Sequence, residues 1–192
     1  MKSRTDNRQA KRSRAALLTS FNELVLTRRY DDIRISDILD RANVGRSTFY
    51  EHFRNKDDLL RQSMSPILSV FAAAASDSCD RAKLHWVLEH FRENIRLARG
   101  LFNGPSCPQI VGLLASLIEE HLDASRTKAK KPGMLPLNLL GAQIAESQLG
   151  LVRTWLNEGA VYPAHQIAEA VHAGSLALAG SELVKLQRKI GQ

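Results

Sequence analysis

Five polar side chains that can donate hydrogen bonds are concentrated between residues 46 and 52. Phe49 and Phe53 are four residues apart, so a helix here would bury both rings on one side. The polar side chains then lie on the outer side or flank it: Arg46, Ser47, Thr48, Tyr50 and His52, with the acidic Glu51 among them. Such donors on a short helix suit the base edges and phosphates of a DNA major groove. The segment therefore predicts DNA contact, and the alternative is a helical corner with a polar exposed side.

A second set of side chains has the spacing of metal ligands. His165, Glu169 and His172 fall on one face of a predicted helix, and Glu169 and His172 form a Glu-x-x-His pair. Di-iron bundles use two such pairs, so a second copy of the chain would have to supply the other. A helical-bundle metal-binding protein or enzyme is therefore the alternative function. The preferred interpretation is a polar stripe on a packed helix, with no catalytic residue, metal or cofactor.

Two further features could take part in sensing a small molecule. Cys107 lies in a segment rich in Gly and Pro and could act as a redox switch, although a lone cysteine without cationic sequence neighbours is usually inert. Trp86, His90 and Phe91 follow one another at helical spacing and could line an effector cavity. The alternative for these side chains is ordinary core packing.

The elements that must position the polar segment form a helix–turn–helix. Ile38 and Ala42 are the inward residues of a first short helix, and the small Ala42 allows a second helix to cross closely. Val44 fills the turn, and Gly45 is expected to supply backbone freedom where the chain reverses. Asn55 begins the next helix as its cap, with Asp58 as the reciprocal partner.

The rest of the chain also has helical periodicity, so the predicted fold class is all-α. We predict helices over residues 10–28, 36–42, 46–53, 55 onward, 80–99, 109–123, 136–158 and 163–189. Residues 1–62 are expected to form a helix–turn–helix DNA-binding domain, and residues 63–192 a helical effector-binding and dimerisation domain. The last helix favours close packing with a partner because it is rich in small residues: Ala168, Ala170, Ala173, Gly174, Ala177, Ala179 and Gly180.

The charge and composition of the chain limit the classes of molecule that it is expected to bind. The 192 residues carry a formal net charge of +7, and residues 1–62 hold 14 basic against 9 acidic side chains. The excess is greatest in a basic arm, residues 1–14, which favours a polyanion such as nucleic acid. No apolar run is long enough to cross a membrane, and the N-terminus lacks a secretory apolar region. With only two cysteines, Cys79 and Cys107, a reducing cytoplasm is expected.

The segment from Ile35 to Leu60 resembles the N-terminal domain of TetR-family transcriptional regulators. The resemblance covers about residues 10–62 and rests on these runs: Asp37-Ile38, Ala42-Asn43-Val44, Thr48-Phe49-Tyr50-x-His52-Phe53 and Lys56-Asp-Asp-Leu-Leu60. It implies a homodimeric repressor that binds a pseudo-palindromic operator in double-stranded DNA. It also implies a small-molecule effector bound by the C-terminal domain.

The resemblance also implies roles for single residues. Arg46, Ser47 and Thr48 would contact bases or the sugar–phosphate backbone. Tyr50 and His52 would hold phosphates, and Gly45 would cap the recognition helix. Lys56 would place its charge and the start of its helix against the DNA backbone.

This sequence departs from the family pattern at three positions. Arg34 stands where a Thr usually caps the first helix of the motif, so that cap is expected from Ser36, which we also count among the DNA-binding residues. Asn43 replaces the commoner Gly, and because Asn tolerates left-handed backbone the turn should survive. Ser47 replaces a frequent Gly and adds a hydroxyl that could read a base.

Overall fold

Every regular element in the part of the chain that the structure describes is helical. The computed structural model describes the backbone of residues 4–129 and 135–190, and the side chains of residues 8–124 and 135–180. Its α-helices are α1 (Arg4–Val25), α2 (Ile35–Ala42), α3 (Arg46–His52), α4 (Lys56–Ala73), α5 (Arg81–Glu93), α6 (Ile95–Asn103), α7 (Cys107–Ala129), α8 (Leu137–Asn157) and α9 (Ala164–Ile190). One turn of 3₁₀ helix, Tyr30–Asp32, lies between α1 and α2. The predicted all-α fold is confirmed.

The chain divides into two compact units. The first contains residues 1–65 together with 104–106, and the second contains residues 66–103 and 107–192. Helix α4 begins in the first unit and ends in the second. The short segment 104–106 joins the first unit through Ser106, whose hydroxyl donates to the carbonyl of Arg28 at 2.8 Å.

The core of the first unit forms where α1, α2 and α3 meet. Its fully buried side chains are Leu17 and Phe21 from α1, Ile38 from α2, and Phe49 and Phe53 at α3, all at most 1% exposed. Burying an aromatic or branched side chain of this size contributes about 1.5–3 kcal/mol. The apolar stripes of these short helices therefore hold the motif together.

In the second unit, α7 and α8 approach closely at a glycine. A Cβ atom on Gly141 would lie 2.7 Å from the carbonyl oxygen of Ala115, so only glycine fits there. Helices α8 and α9 are joined by a tight turn in which Gly159 and Ala160 have positive φ angles of 90° and 51°. The indole of Trp155 closes this turn by donating to the carbonyl of Tyr162 at 2.9 Å.

The predicted single helix over residues 80–99 is wrong. The chain breaks at Asn94, where φ is −111° and ψ is 41°, and α6 then continues to Asn103. The carbonyl of His90 accepts both the backbone N–H of Asn94, at 3.0 Å, and its side-chain amide, at 2.9 Å. The Asn94 side chain is thus bonded to the last turn of α5 at the residue where the helical backbone breaks.

The length and apolar character of the described helices bear on whether any of them could span a bilayer. None of them is by itself long and apolar enough to cross a membrane. The helices Ile95–Asn103 and Cys107–Ala124 meet at an angle of 87°. They reach the length and apolar composition of a membrane span only when the two are counted together.

Candidate nucleic-acid interface

The turn between α2 and α3 is built around Asn43. This residue is left-handed, with φ 52° and ψ 50°, and its backbone N–H donates to the carbonyl of Asp40. The N–H of Val44 reaches back to the carbonyl of Leu39 at 3.2 Å, closing the end of α2. The prediction that Asn43 supports the turn is confirmed.

The backbone conformation of Gly45 differs from the one predicted. It occupies the N-cap of α3, as the resemblance implies, but its φ of −73° and ψ of 158° are open to any residue. A Cβ atom there would meet only the Ser47 hydroxyl oxygen, at 3.9 Å. The predicted backbone freedom at Gly45 is therefore wrong, since Asn43 makes the reversal.

The start of α2 is satisfied by its own carboxylate. Arg34 is the N-cap residue, and its backbone N–H donates to Asp37 at 2.9 Å. Ser36 lies inside α2, one residue past its start, so the expectation that Ser36 caps this helix is wrong. Its side chain is exposed, and its role as a DNA contact stays a prediction.

Helix α3 separates an apolar side from a polar side. Phe49 and Phe53 are buried as predicted, with ring centroids 5.7 Å apart. Arg46, Ser47 and Glu51 are exposed, and Tyr50 is 49% exposed. Thr48 and His52 are half-buried, so they lie at the edges of this face. A row of donors on one exposed helix face is the arrangement that a major groove accepts.

Two of these side chains support each other on the surface. The guanidinium carbon of Arg46 lies 5.9 Å from the centroid of the Tyr50 ring, one helical turn away. A cation at this distance from an aromatic face is attracted by about 0.5–1 kcal/mol when exposed. The contact restricts where the Arg46 donors can point without occupying them.

His52 connects the end of α3 to α1. Its Nε2 atom lies 2.8 Å from the hydroxyl oxygen of Ser13, a residue 39 positions earlier in the chain. The Ser13 hydroxyl is itself within 3.1 Å of the carbonyl of Ala10. His52 therefore positions α3 against α1, and its predicted contact with phosphate would have to use the remaining part of the ring.

The ammonium group of Lys56 is bound within the first unit. It donates to the carbonyls of Tyr30 and Ile33 at 2.7 and 2.8 Å and lies 4.1 Å from the Tyr30 ring centroid. The Tyr30 hydroxyl donates to the neighbouring Asp57 carboxylate. Burial, and then the bond to Asp57, raises the pKa of Tyr30, which keeps the hydroxyl protonated as a donor. Two of the three Lys56 donors thus hold the fold.

The first turn of α4 has the predicted cap. The Asn55 side chain accepts from the backbone N–H of Asp58 at 2.8 Å, which confirms Asn55 as the cap. The Asp58 carboxylate accepts from the backbone N–H of Arg54 at 3.0 Å, one residue earlier than the expected partner. That bond, followed by one from Gln62, lowers the pKa of Asp58. The start of α4 is therefore fixed, so its direction is set independently of DNA.

The predicted basic arm belongs largely to α1. Residues 1–3 lie outside the described residues, and α1 begins at Arg4. Within the described side chains, four basic residues of the arm are exposed: Arg8, Lys11, Arg12 and Arg14. Arg14 also donates to the Gln62 side chain at 2.8 Å and lies 5.7 Å from the Phe53 ring centroid. The arm thus presents cations from a helix.

The three residues predicted to line an effector cavity do not meet in one. Trp86 is 66% exposed, and its ring stacks on that of the exposed His90 with centroids 5.7 Å apart. Phe91 points the other way and packs on Phe102 and Phe71 in the core of the second unit. The three positions span more than one side of α5, so a single cavity wall is not formed. Their part in effector binding stays a prediction.

The alternative metal site is not assembled either. Glu169 pairs with Arg81 at 3.2 Å, and the ring of His165 stands edge-on to that of His85. His172 is buried and donates through Nδ1 to the carbonyl of Ala74 at 2.9 Å. Among the described residues, no three His, Cys, Asp or Glu side chains are close enough to share a metal ion. Each side chain of the predicted set thus has a different partner, which disfavours the alternative function.

Several contacts that position the candidate interface could not be predicted from the sequence. The Ser13–His52 bond joins residues 39 apart, and Lys56 reaches residues 26 and 23 positions earlier. Neither spacing follows a helical period, so only the folded chain brings these groups together.

Part of the sequence is similar to the sequences of known transcriptional regulators. Residues 22–62 match the family model described as bacterial regulatory proteins, tetR family. The chain is 25% identical over 171 residues to an uncharacterised HTH-type transcriptional regulator, YxbF, of Bacillus subtilis (strain 168). That match covers 84% of this chain and 44% of the relative, so the chain spans less than half of the relative's length.

A solved structure has the same fold. The TetR transcriptional regulator from Streptococcus agalactiae 2603V superimposes with a TM-score of 0.58, covering 89% of this chain and 97% of that chain. Its sequence identity to this chain is 21%, so this likeness concerns the fold alone.

Proposed function

We propose that this chain, whose residues 22–62 match the tetR family model, is a transcriptional regulator of that family that represses transcription as a homodimer on a pseudo-palindromic DNA operator. The single observation that carries the proposal is the exposed polar face of α3. That face keeps Arg46, Ser47 and Tyr50 exposed while Phe49 and Phe53 are buried behind it. DNA binding in the cytoplasm, without catalysis, is the proposed activity.

Within α3, Arg46, Ser47 and Thr48 are proposed to meet bases or sugar–phosphate. They form its first turn, and N-terminal residues of a recognition helix reach base edges most readily. Tyr50, His52, Lys56 and the cations of α1 are proposed to face phosphates. Phosphate contacts fix the register of a protein on the duplex, whereas base contacts specify the sequence.

The proposal of a dimer is supported by an uncovered side of α9. Ala170, Ala173, Gly174 and Ala177 follow one another at helical spacing and are exposed, although all four residues are small and apolar. Small residues allow two helices to approach closely. A dimer also doubles the bases that are read, and one helix of 7 residues reads too few for specific affinity.

Release from DNA is proposed to depend on a small-molecule effector bound by residues 63–192. Helix α4 has residues in both compact units, so it is the proposed connection between effector and α3. The effector must bind more tightly to the state that does not fit DNA, since otherwise it shifts no equilibrium.

Selection of bound sequences from a random DNA pool tests the proposal. We expect enriched sites with two-fold symmetry and half-sites about one helical turn, or a multiple of it, apart. Bound sites without symmetry would contradict the dimeric arrangement. The absence of any enriched sequence would contradict specific DNA binding.

A further inference from the structure

A groove in the second unit opens between α6, α7 and α8. Its volume is about 540 Å³, within the range of roughly 300–1,000 Å³ that small-molecule sites occupy. One part of its lining is apolar and another is polar: Phe102, Pro108 and Val111 against Glu146, Arg153 and Thr154. The groove therefore suits a ligand that has both an apolar body and a polar group.

Arg153 is the cation of this groove, and its donors are poorly used. Its side chain is 35% exposed, and its ion pair with Glu146 is long, at 3.8 Å. Its other polar contact within the described residues is to the Cys107 sulfur, also at 3.8 Å. A guanidinium has five N–H donors in a planar fork that matches a carboxylate. The geometry leaves room for a closer acceptor than either present partner.

A second source of positive potential lies at the same place. Cys107 and Pro108 form the first turn of α7, a helix of 23 residues, and both line the groove. The N-terminus of a helix carries partial positive charge and favours anions. Glu146 opposes this, but its side chain is 61% exposed and can turn into solvent.

We propose that this groove binds a small organic carboxylate with an apolar chain. The carboxylate pairs with Arg153 in place of Glu146, and the chain packs on Phe102, Pro108 and Val111. The inference rests on the proposed function, because it gives the effector of the regulator a site and a chemical class. The ligand would contact α8, the helix joined by a tight turn to the proposed dimer helix α9.

Thermal melting and direct titration with straight-chain carboxylates from butanoate to dodecanoate test the site, with the corresponding alcohols as neutral probes. Since charge-assisted bonds are worth about 1.5–3 kcal/mol, we expect R153Q to weaken binding of the best carboxylate by about tenfold or more. Alcohol binding should be equal in both proteins. The matched control R96Q removes an exposed cation of α6 outside the groove lining and should bind as the wild type does.

E146Q keeps the inference testable if R153Q does not fold. Removing the competing carboxylate should tighten carboxylate binding, which is the opposite change to that expected of R153Q. A third readout is alkylation of Cys107 in a C79S background, where it is the single remaining thiol. Cys107 is buried at the edge of this groove, so a reagent reaches it only through the groove, and the bound carboxylate should slow the alkylation further.

The inference is overturned if no carboxylate in the series binds, if alcohols bind equally well, or if R153Q and E146Q leave carboxylate affinity unchanged. Operator affinity, measured separately by fluorescence anisotropy on a selected site, distinguishes the two proposals. Wild-type protein that binds the operator but no carboxylate overturns the groove assignment alone. Wild-type protein that binds a carboxylate through Arg153 but no DNA overturns the proposed function.

Discussion

The polar residues of the proposed interface differ in whether their side chains already make hydrogen bonds within the chain. Arg46 and Ser47 project from α3 with their donors available, whereas His52 is bonded to Ser13 and Lys56 to two carbonyls. A side chain that is bonded within the chain has fewer groups left to contact a ligand. The groups that remain are held in a fixed position. We therefore propose base readout for the start of α3, and phosphate positioning for its end and for α4.

Arg46→Ala is expected to reduce sequence discrimination. A bidentate base contact is worth about 1–3 kcal/mol, so binding to the selected operator should fall by that amount while binding to random DNA falls less. Thr48→Ala should act in the same direction. Anisotropy titrations on both DNAs measure the ratio, with Arg96→Ala as the matched loss of an exposed cation in the second unit. Equal losses on both DNAs would remove these residues from base readout.

Lys56→Ala is expected to affect both stability and DNA binding. The substitution leaves the carbonyls of Tyr30 and Ile33 without a charged donor, at about 1–3 kcal/mol. If the remaining donor meets a phosphate, the slope of log affinity against log salt should also fall by about one. Urea unfolding and a salt series separate the two effects. Reduced stability with an unchanged slope would assign Lys56 to the fold alone.

At the scale of elements, α4 is fixed at both of its ends. Its first turn is capped by Asn55 and held by Lys56. At its other end, Gln148 from α8 donates to the carbonyl of Phe71 at 3.0 Å, and His172 from α9 donates to that of Ala74 at 2.9 Å. Both donors are buried. These bonds tie the end of α4 to α8 and α9, which is the connection that the proposed effector response would use.

Asn55→Ala is expected to destabilise the start of α4 by about 1 kcal/mol, the usual cost of losing an N-cap. The loss follows from the Asp58 N–H, which no longer has a side-chain acceptor. Urea unfolding measures the change. Asn55→Asp is the matched control, because Asp caps a helix as well as Asn does, so stability should be nearly unchanged. If Asn55→Ala were equally neutral, the cap would have no energetic role.

Gln148→Glu is expected to be far more destabilising than Gln148→Met. The amide of Gln148 is 2% exposed, and its nitrogen donates to the Phe71 carbonyl and to the Ser175 hydroxyl. A carboxylate there would face the Phe71 carbonyl, which is an acceptor, and could gain a donor only if the Ser175 hydroxyl gave up its bond to the Val171 carbonyl. A buried charge left without compensation costs about 3–5 kcal/mol. Methionine removes two hydrogen bonds, which is unfavourable. It also removes the buried Gln148 side-chain oxygen, which lacks a described partner, and this gain largely offsets the loss. Thermal melting at neutral pH compares the two variants.

At the scale of the whole molecule, the exposed side of α9 is the feature that the single chain does not explain. A helix in a monomer usually turns its uncovered face to water with charged or long polar residues. Here Ala170, Ala173, Gly174 and Ala177 occupy that face. A second copy packed on it would cover the small residues and bring two α3 helices into one complex.

Gly174→Glu is expected to separate the dimer without unfolding the protomer. A Cβ atom at Gly174 would meet nothing within 4 Å, so the new side chain fits in the single chain. In a close helix pair it would be buried and charged, which is unfavourable. Light scattering and operator titration measure the mass and the loss of affinity. Gly112→Glu in α7 has equal space and is the matched control, expected to stay dimeric. A dimeric Gly174→Glu protein would place the interface elsewhere.

Most of the fold was predictable because it rests on local patterns. Apolar residues at helical spacing identified the helices and the burial of Phe49 and Phe53, and Asn43 and Asn55 act through bonds to residues within four positions. The wrong predictions concern two places where the helical backbone is interrupted. At Asn94 the backbone breaks a helix that periodicity would continue, and in the turn before α3 the left-handed conformation falls on Asn43 instead of Gly45.

The sequence by itself determined an all-α chain with a helix–turn–helix whose recognition helix buries two phenyl rings, because periodicity and turn chemistry act over a few residues. Tertiary structure alone decided that Lys56 and His52 are bonded inside the first unit and that Arg153 shares a groove with Cys107. Those contacts join residues tens of positions apart. Their distances follow from how helices pack, which no local spacing encodes.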